Sequence, residues 1–266
     1  RADVDNLGQT FVAGFAGKYA TLSRTAALSR QLSIFFKYYI RSILKNGEYH
    51  IDGEKKLTER NATIVYSGGD DVFIVGAWNE VIELSIDLQE KFKKYTQGTL
   101  SISSGIGIYE CTYPIGAIAN ETGEMEAESK RMPEKDSVTF MDDGETHLIN
   151  ELEICDGTYR WEELYKSVLG EKYDVIQDFL GESDERGMSF LYRMLELIRN
   201  QKEKINFARF VYLLSRLEPD KEGEKKEKYR KFSRKMYQWV QSEKDCRELK
   251  TAINLYAYMH REKGAH

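Results

Sequence analysis

The sequence has few of the residues that announce a site by themselves. Its three cysteines, Cys111, Cys155 and Cys246, lie far apart and form no CxxC pair. That spacing excludes a zinc ribbon or a disulfide framework and predicts a reduced, cytoplasmic setting. The four histidines, His50, His147, His260 and His266, are scattered, and none stands beside an aspartate. Only three prolines occur, at 114, 133 and 219, so no Pro-rich linker divides the chain. No apolar run approaches the roughly 20 residues that span a bilayer, and no basic-then-apolar leader opens the chain, so neither membrane spanning nor secretion is expected. An initiator methionine is also missing. Arg1-Ala2-Asp3-Val4-Asp5 reads as the middle of a strand, and the chain is expected to be a fragment of a longer protein.

What remains is ordinary soluble composition with uneven charge. Hydrophobic residues make up 41% and charged residues 31% of 266 positions, enough apolar content for two packed domains. The net charge is −5, but residues 1–150 carry 16 basic and 22 acidic side chains, 151–198 carry 5 and 12, and 199–266 carry 18 and 10. The C-terminal quarter is a basic block on an acidic chain.

Periodicity divides the chain in the same place. A strand at 1–5 is followed by helical spacing of Leu22, Ala26, Leu32, Phe36, Ile40 and Ile43 behind a Thr21 cap. Ala62–Tyr66 and Val72–Gly76 are short apolar runs separated by Ser67-Gly68-Gly69-Asp70-Asp71, a hairpin signal. A helix to Tyr95, a strand over 99–109, a helix from Pro114 to about Lys130 and a strand at Ser137–Met141 follow. The order β-α-β-β-α-β predicts an α+β, ferredoxin-like domain over 1–150. Beyond about 150 the strand signals stop, and helical runs near 160–169, 172–180, 188–204, 206–217, 224–242 and 244–262 predict an all-α bundle over 151–266.

In a split βαβ sheet the first strand lies antiparallel to the third. Asp3-Val4-Asp5 therefore meets Asp70-Asp71 at one edge. Carboxylates gathered within a few ångströms repel unless a cation sits among them, and an all-oxygen set suits a hard ion such as Mg²⁺ or Mn²⁺. Asp3 and Asp5 share a strand face, and the Val4 carbonyl can turn toward the same ion. Gly68-Gly69 lets a phosphate or base approach the backbone. A Gly-Gly-Asp-Asp turn alone is also a favoured hairpin sequence; its pairing with an Asp-x-Asp strand end is what points to metal-assisted phosphoryl chemistry.

A strand ending Asp-Val-Asp-Asn-Leu-Gly with a Tyr-Ser-Gly-Gly-Asp-Asp-Val-Phe hairpin resembles the palm shared by nucleotide cyclases and polymerases. It is most similar to the second palm domain of the large subunit of type III-A (Csm-type) CRISPR interference complexes. Ser103-Ser104-Gly105-Ile106-Gly107, Tyr113-Pro114-Ile115, Lys130 and Asn206-Phe207-Ala208-Arg209-Phe210 fit the same family, and the likeness covers nearly the whole chain.

The resemblance implies an RNA-activated nucleotidyltransferase that joins ATP into cyclic oligoadenylates. It places metal ligands on Asp3, the Val4 carbonyl, Asp5, Asp70 and Asp71, with Asp70 and Asp71 catalytic. Nucleotide contacts would fall on Asn6, Leu7, Gly8, Ser67, Gly68, Gly69 and Lys130. Partners would be other subunits of the complex, guide RNA, target RNA and ATP. The family's His-Asp nuclease, zinc module and first palm have no counterpart here, so the isolated chain is expected to turn over little.

Plainer readings stand beside these. Lys130 could be a solvated lysine at a helix C-terminus. The basic block, with Lys225, Lys226, Lys228, Arg230, Lys231, Arg234 and Lys235 interleaved with Tyr229, Phe232, Tyr237 and Trp239, is either a solvated helix face or a surface for an RNA backbone or an acidic partner subunit. The alternatives for the whole are a GGDEF-type diguanylate cyclase and a catalytically idle palm that scaffolds a ribonucleoprotein. Against the first, Asp71-Val72-Phe73 replaces the Glu-Phe of those enzymes, and 60–63 reads Arg-Asn-Ala-Thr instead of Arg-x-x-Asp. Against the second, a pure scaffold gains nothing from clustered carboxylates.

Overall fold

The computed structural model describes residues 1–15, 17–53, 56–141, 144–181, 186–199 and 204–261. It divides into two compact units, Arg1–Trp161 and Glu162–His266, so the break falls beyond the expected boundary at 150.

The first unit is built on a six-stranded sheet of order β2-β3-β1-β4-β5-β8. Its strands are β1 (Ala2–Val4), β2 (Ala62–Gly68), β3 (Asp71–Gly76), β4 (Ile102–Ile106), β5 (Ser137–Phe140) and β8 (Thr158–Arg160). The order β2-β3-β1-β4 with all pairs antiparallel is the expected ferredoxin-like arrangement. Its helices are α1 (Leu7–Ala13), α2 (Leu22–Ile34), α3 (Ile40–Lys45), α4 (Trp78–Tyr95) and α5 (Ile115–Ser129). A π-helical turn, Phe35–Tyr39, joins α2 to α3.

Alternation along β1 decides the two faces. Ala2 and Val4 point into a core with Phe35, Phe36, Ile40, Leu84, Leu88, Phe92 and Ile102, drawn from the π-helical turn, α3, α4 and β4. Burying each of these large side chains contributes about 1.5–3 kcal/mol. Asp3 points to the other face, where α5 crosses from β4 to its parallel neighbour β5. That crossing is close. A Cβ on Gly105 would lie 2.4 Å from the Thr122 carbonyl and 2.6 Å from the Glu126 amide nitrogen.

Strands continue past 150, where the sequence predicts helices only. β6 (Thr146–Ile149) and β7 (Leu152–Cys155) form a separate hairpin, and β8 lines the edge of the main sheet beside β5. Asn150 and Glu151 turn this hairpin with φ of 49° and 68°. The pair lacks the Asn-Gly signature that marks such turns, which is why periodicity alone passes over it. Trp161 closes the unit, its indole N–H donating to the Ile102 carbonyl at 2.8 Å.

A cavity of about 370 Å³ runs beside Arg1, between the parts of β3 and β4 that extend past the start of β1. Phe73, Val75, Trp78, Ile106 and Tyr109 line it, and it holds none of the carboxylates of the β1–β3 edge except through the shared strand.

The second unit is helical, as expected. α6 (Trp161–Glu163) passes into a π-helical stretch, Leu164–Tyr173, and then α7 (Asp174–Leu180). α8 (Arg186–Arg199), α9 (Lys204–Ser215), α10 (Glu224–Trp239) and α11 (Glu243–Arg261) follow. The predicted helix over 188–204 is described as far as 199; residues 200–203 lie outside the described residues, as do 262 and His266. Leu249, Ala252, Ile253 and Tyr256 of α11 are buried, together with Val168, Leu169 and Ile176.

Candidate active site

The site is assembled by strand register. β1 runs antiparallel to β3 with Asp3 opposite Asp71 and Ala2 opposite Val72. One step further, the Val4 N–H donates to the Asp70 carbonyl at 3.2 Å. In an antiparallel ladder a residue's N–H and C=O face the same neighbour, so the Val4 carbonyl also points toward the hairpin tip. β2 and β3 close over two residues, with Gly68 paired to Asp71. Gly69 takes φ of 49°, and a Cβ there would meet nothing within 4 Å. The turn is therefore open as well as glycine-dependent.

The close approach of α5 at Gly105 carries its C-terminal end over this edge. The Lys130 ammonium donates to Asp3 and, at 2.9 Å, to Glu126 one turn back. Arg1 Nε lies 3.0 Å from the other Glu126 oxygen, and Arg1 Nη2 lies 3.8 Å from Asp71. Glu126 is 7% exposed. Burial raises the Asp70 carboxyl above the ordinary value, and the charges of Asp3 and Asp71 push it further; Lys130 pulls the other way. Burial also works against the Lys130 charge, but its bonds to Asp3 and Glu126 outweigh that and hold the ammonium above the usual lysine range.

Four carboxylates, Asp3, Asp70, Asp71 and Glu126, thus face two cations. The surplus of two negative charges equals the charge of one divalent ion, and the donors are all oxygen, the chemistry Mg²⁺ or Mn²⁺ prefers. The residues fit a hard divalent cation in charge and type. They do not form a finished cage: among the described residues no group of three or more His, Cys, Asp or Glu side chains converges as a metal-holding set.

Two expected site residues are placed elsewhere. β1 ends at Val4, and the Asp5 carboxylate, 2% exposed, accepts from Ser101 Oγ at 2.7 Å and from the Asp136 N–H at 3.1 Å. It ties the entries of β4 and β5 to the end of β1. Ser67 is likewise engaged, its hydroxyl donating to the Phe36 carbonyl in the π turn. Asn6 opens α1 with φ of 54°, and its side-chain oxygen accepts from Lys135 at 2.6 Å. Leu7 and Gly8 form the first turn of α1, where N–H groups lack intrahelical acceptors.

Sequence reasoning passed over Arg1, Glu126 and Ser103. Glu126 precedes Lys130 by four residues, a spacing that was readable as a helix ion pair. Ser103, opposite Asp3 in the β1–β4 ladder, keeps a fully buried hydroxyl without a protein partner. The described histidines have partners elsewhere: His50 Nε2 lies 2.6 Å from the Lys56 carbonyl, His147 Nδ1 lies 3.2 Å from Asp156, and His260 Nδ1 lies 2.9 Å from the Tyr256 carbonyl.

Several cations of the basic block pair within their own unit. Lys226 lies 3.0 Å from Glu222 and 3.5 Å from Glu218; Lys231 lies 3.4 Å from Asp178; Lys235 lies 2.7 Å from Glu171. Tyr229, Phe232 and Trp239 are buried, whereas Tyr237 is exposed. α10 is chiefly an ion-paired helix face.

A ferredoxin-like sheet with an acidic hairpin beside an acidic strand end defines a palm-type domain. Residues 1–139 match the family described as Cas10/Cmr2, second palm domain, and residues 177–262 match the second helical domain of the Cmr2 subunit of the CRISPR RNA silencing complex. The chain is 42% identical, over 99% of its length, to 31% of the type III-A single-strand-specific deoxyribonuclease Cas10/Csm1 of Mycobacterium tuberculosis (strain H37Rv). It is 37% identical, over 97% of its length, to 32% of the Streptococcus thermophilus counterpart. Among solved structures, a Csm1-Csm4 cassette in complex with pppApApA covers 96% of the chain, with 36% of that chain covered, at 26% identity and a TM-score of 0.67. The chain belongs to the Cas10/Csm1 family of type III-A CRISPR systems. It spans about a third of the length of these relatives.

Proposed function

We propose that this palm supplies one half of a metal-dependent site that joins ATP into cyclic oligoadenylates, within an RNA-guided type III complex. The observation that carries the reading is the Asp3–Asp71 register, which sets the strand-end acids against an open Gly-Gly-Asp-Asp turn. The pppApApA in the related cassette supports it, because a linear adenylate trimer with one triphosphate is what three ATP molecules give when two pyrophosphates leave.

In this reading Asp3, Asp70, Asp71 and the Val4 carbonyl hold a divalent cation, which neutralises charge on the nucleotide phosphates. The N–H groups of Asn6, Leu7 and Gly8, the Gly68-Gly69 backbone and Lys130 hold and orient those phosphates. The 3′-hydroxyl of a second ATP forms a bond to the α-phosphorus as the bond to pyrophosphate breaks, and the hydroxyl proton leaves with solvent. Positioning the two groups about 3–3.5 Å apart supplies much of the rate. With one Gly-Gly-Asp-Asp turn here, the second nucleotide must be presented by another palm. Guide and target RNA would act as activators, and the setting would be the cytoplasm, in keeping with three free thiols; among the described residues no helix is long and apolar enough to cross a membrane. The deoxyribonuclease activity in the relatives' names is not assigned to this chain, which has no adjacent His-Asp.

The test is nucleotide binding and product formation by the whole protein. ATP is expected to bind more tightly than GTP and only with divalent metal. Asp70→Ala with Asp71→Ala should lower oligoadenylate formation by about 100-fold or more while assembly persists. Tighter GTP binding would favour the diguanylate reading, and wild-type synthesis by the double variant would sink the assignment.

A further inference from the structure

The contact between Lys130 and Asp3 deepens that reading and rests on it. Asp3 is an acid expected to hold a divalent cation, yet its carboxylate here accepts from the Lys130 ammonium. The ammonium is not loose. Glu126, 7% exposed, holds it from one turn back at 2.9 Å, and Arg1 Nε fixes the far oxygen of Glu126 at 3.0 Å. Lys130 caps the C-terminal end of α5 and keeps 23% of its side chain exposed, so its four-carbon stem has room to swing while its Cα stays put.

We propose that Lys130 is the resident counter-ion of the site, competing with divalent metal for Asp3 and passing to the nucleotide phosphates under the guidance of Glu126. Three observations meet here. Asp3 and Asp71 stand directly opposite one another, so a site without metal needs a positive charge to offset their repulsion. Lys130 provides one from outside the strand pair. Glu126 supplies a second acceptor, so leaving Asp3 does not strand the ammonium without a partner. Glu126 is thereby a positioning residue: its contact is with the Lys130 ammonium, and it acts through that group.

The consequence is a pair of opposite effects from one substitution. In the whole protein, Lys130→Met should tighten nucleotide-free Mn²⁺ binding, read by the loss of free-ion EPR signal, by about fivefold or more, since a unit charge beside the ion is removed. The same variant should weaken ATP binding in saturating Mn²⁺ by a similar factor. Lys130→Arg, which keeps the charge, should leave Mn²⁺ affinity near wild type. Glu126→Gln should weaken ATP binding without any gain in Mn²⁺ affinity. If Lys130→Met binds Mn²⁺ no more tightly than wild type, while wild type binds both Mn²⁺ and ATP, the counter-ion role is wrong and the proposed function stands. If wild type binds neither, both fall.

Discussion

In the palm unit, Asp3, Asp70 and Asp71 at the β1–β3 edge and Glu126 of α5 face Lys130 and Arg1, and burial together with the charges of Asp3 and Asp71 holds Asp70 above the usual carboxylate range. In the helical unit, Lys172 is as deeply buried as any aliphatic side chain, yet it meets Glu248 and, at 2.9 Å, Asp245, with its ammonium 5.1 Å from the Trp239 ring. Beside it, Glu163 accepts from Lys244 at 2.9 Å and Arg247 at 3.3 Å. One unit leaves charge uncompensated where a ligand could complete it. The other cancels charge inside a folded core. Clustered ionisable residues therefore mean different things according to whether their partners are already present, and sequence alone shows only the cluster.

The comparison breaks most visibly if the helical network is not structural. Lys172→Ala would leave Glu248, 1% exposed, without its ammonium, and should cost about 3–5 kcal/mol in denaturant unfolding. Metal-dependent ATP binding should survive wherever the protein remains folded. Replacing both partners by Lys172→Met with Glu248→Leu should recover most of the loss, because removing a buried pair together is far cheaper than removing one member.

A smaller effect tests the palm side. Because Asp70 holds its proton above the ordinary 3.8, the folded chain retains a proton that the unfolded chain has released. Metal-free stability should fall as pH rises from about 3.8 through the folded range of Asp70, and the loss should persist at neutral pH. Asp70→Asn should flatten that slope and raise metal-free stability at neutral pH by less than about 1 kcal/mol, since the group is partly exposed. A steeper slope in the variant would show that Asp70 is not the strained acid.

The least effect belongs to α10. Lys226→Gln removes pairs to Glu222 and Glu218, both well exposed, and should change stability by no more than about 1 kcal/mol, shrinking further at 1 M salt. Loss of RNA retention by this single variant would return α10 to the role of a nucleic-acid surface.

How much of this was readable depended on how local each signal was. The meeting of Asp3 with Asp71 followed from strand order and two acidic motifs, and the structure has that register. Gly105 and Pro114 marked a strand and a helix start that both exist. The partners of the Asp5 carboxylate, Ser101 and the Asp136 N–H, lie 96 and 131 residues away, and no local pattern announces them. The hairpin around Asn150-Glu151 was missed because non-glycine residues take its positive φ angles. α10 was the deepest ambiguity: Lys231 and Lys235 look free in sequence, and their partners Asp178 and Glu171 lie 53 and 64 residues away.

The π turn at Phe35–Tyr39 has a consequence for how the hairpin is held. The Ile40 N–H reaches back to the Phe35 carbonyl, five residues earlier, so the helix carries one residue more than a regular turn would hold. Within this turn the Phe36 carbonyl accepts from Ser67, the residue that begins the Ser-Gly-Gly-Asp-Asp turn. Ile40 and Ile43 are buried in the same core as Phe36. Deleting one residue here would rotate everything downstream by about 100° about the helix axis. The aim of the Gly-Gly-Asp-Asp turn is thus written partly in chain length: a one-codon deletion some thirty positions upstream would misdirect it while every acidic residue stayed in place.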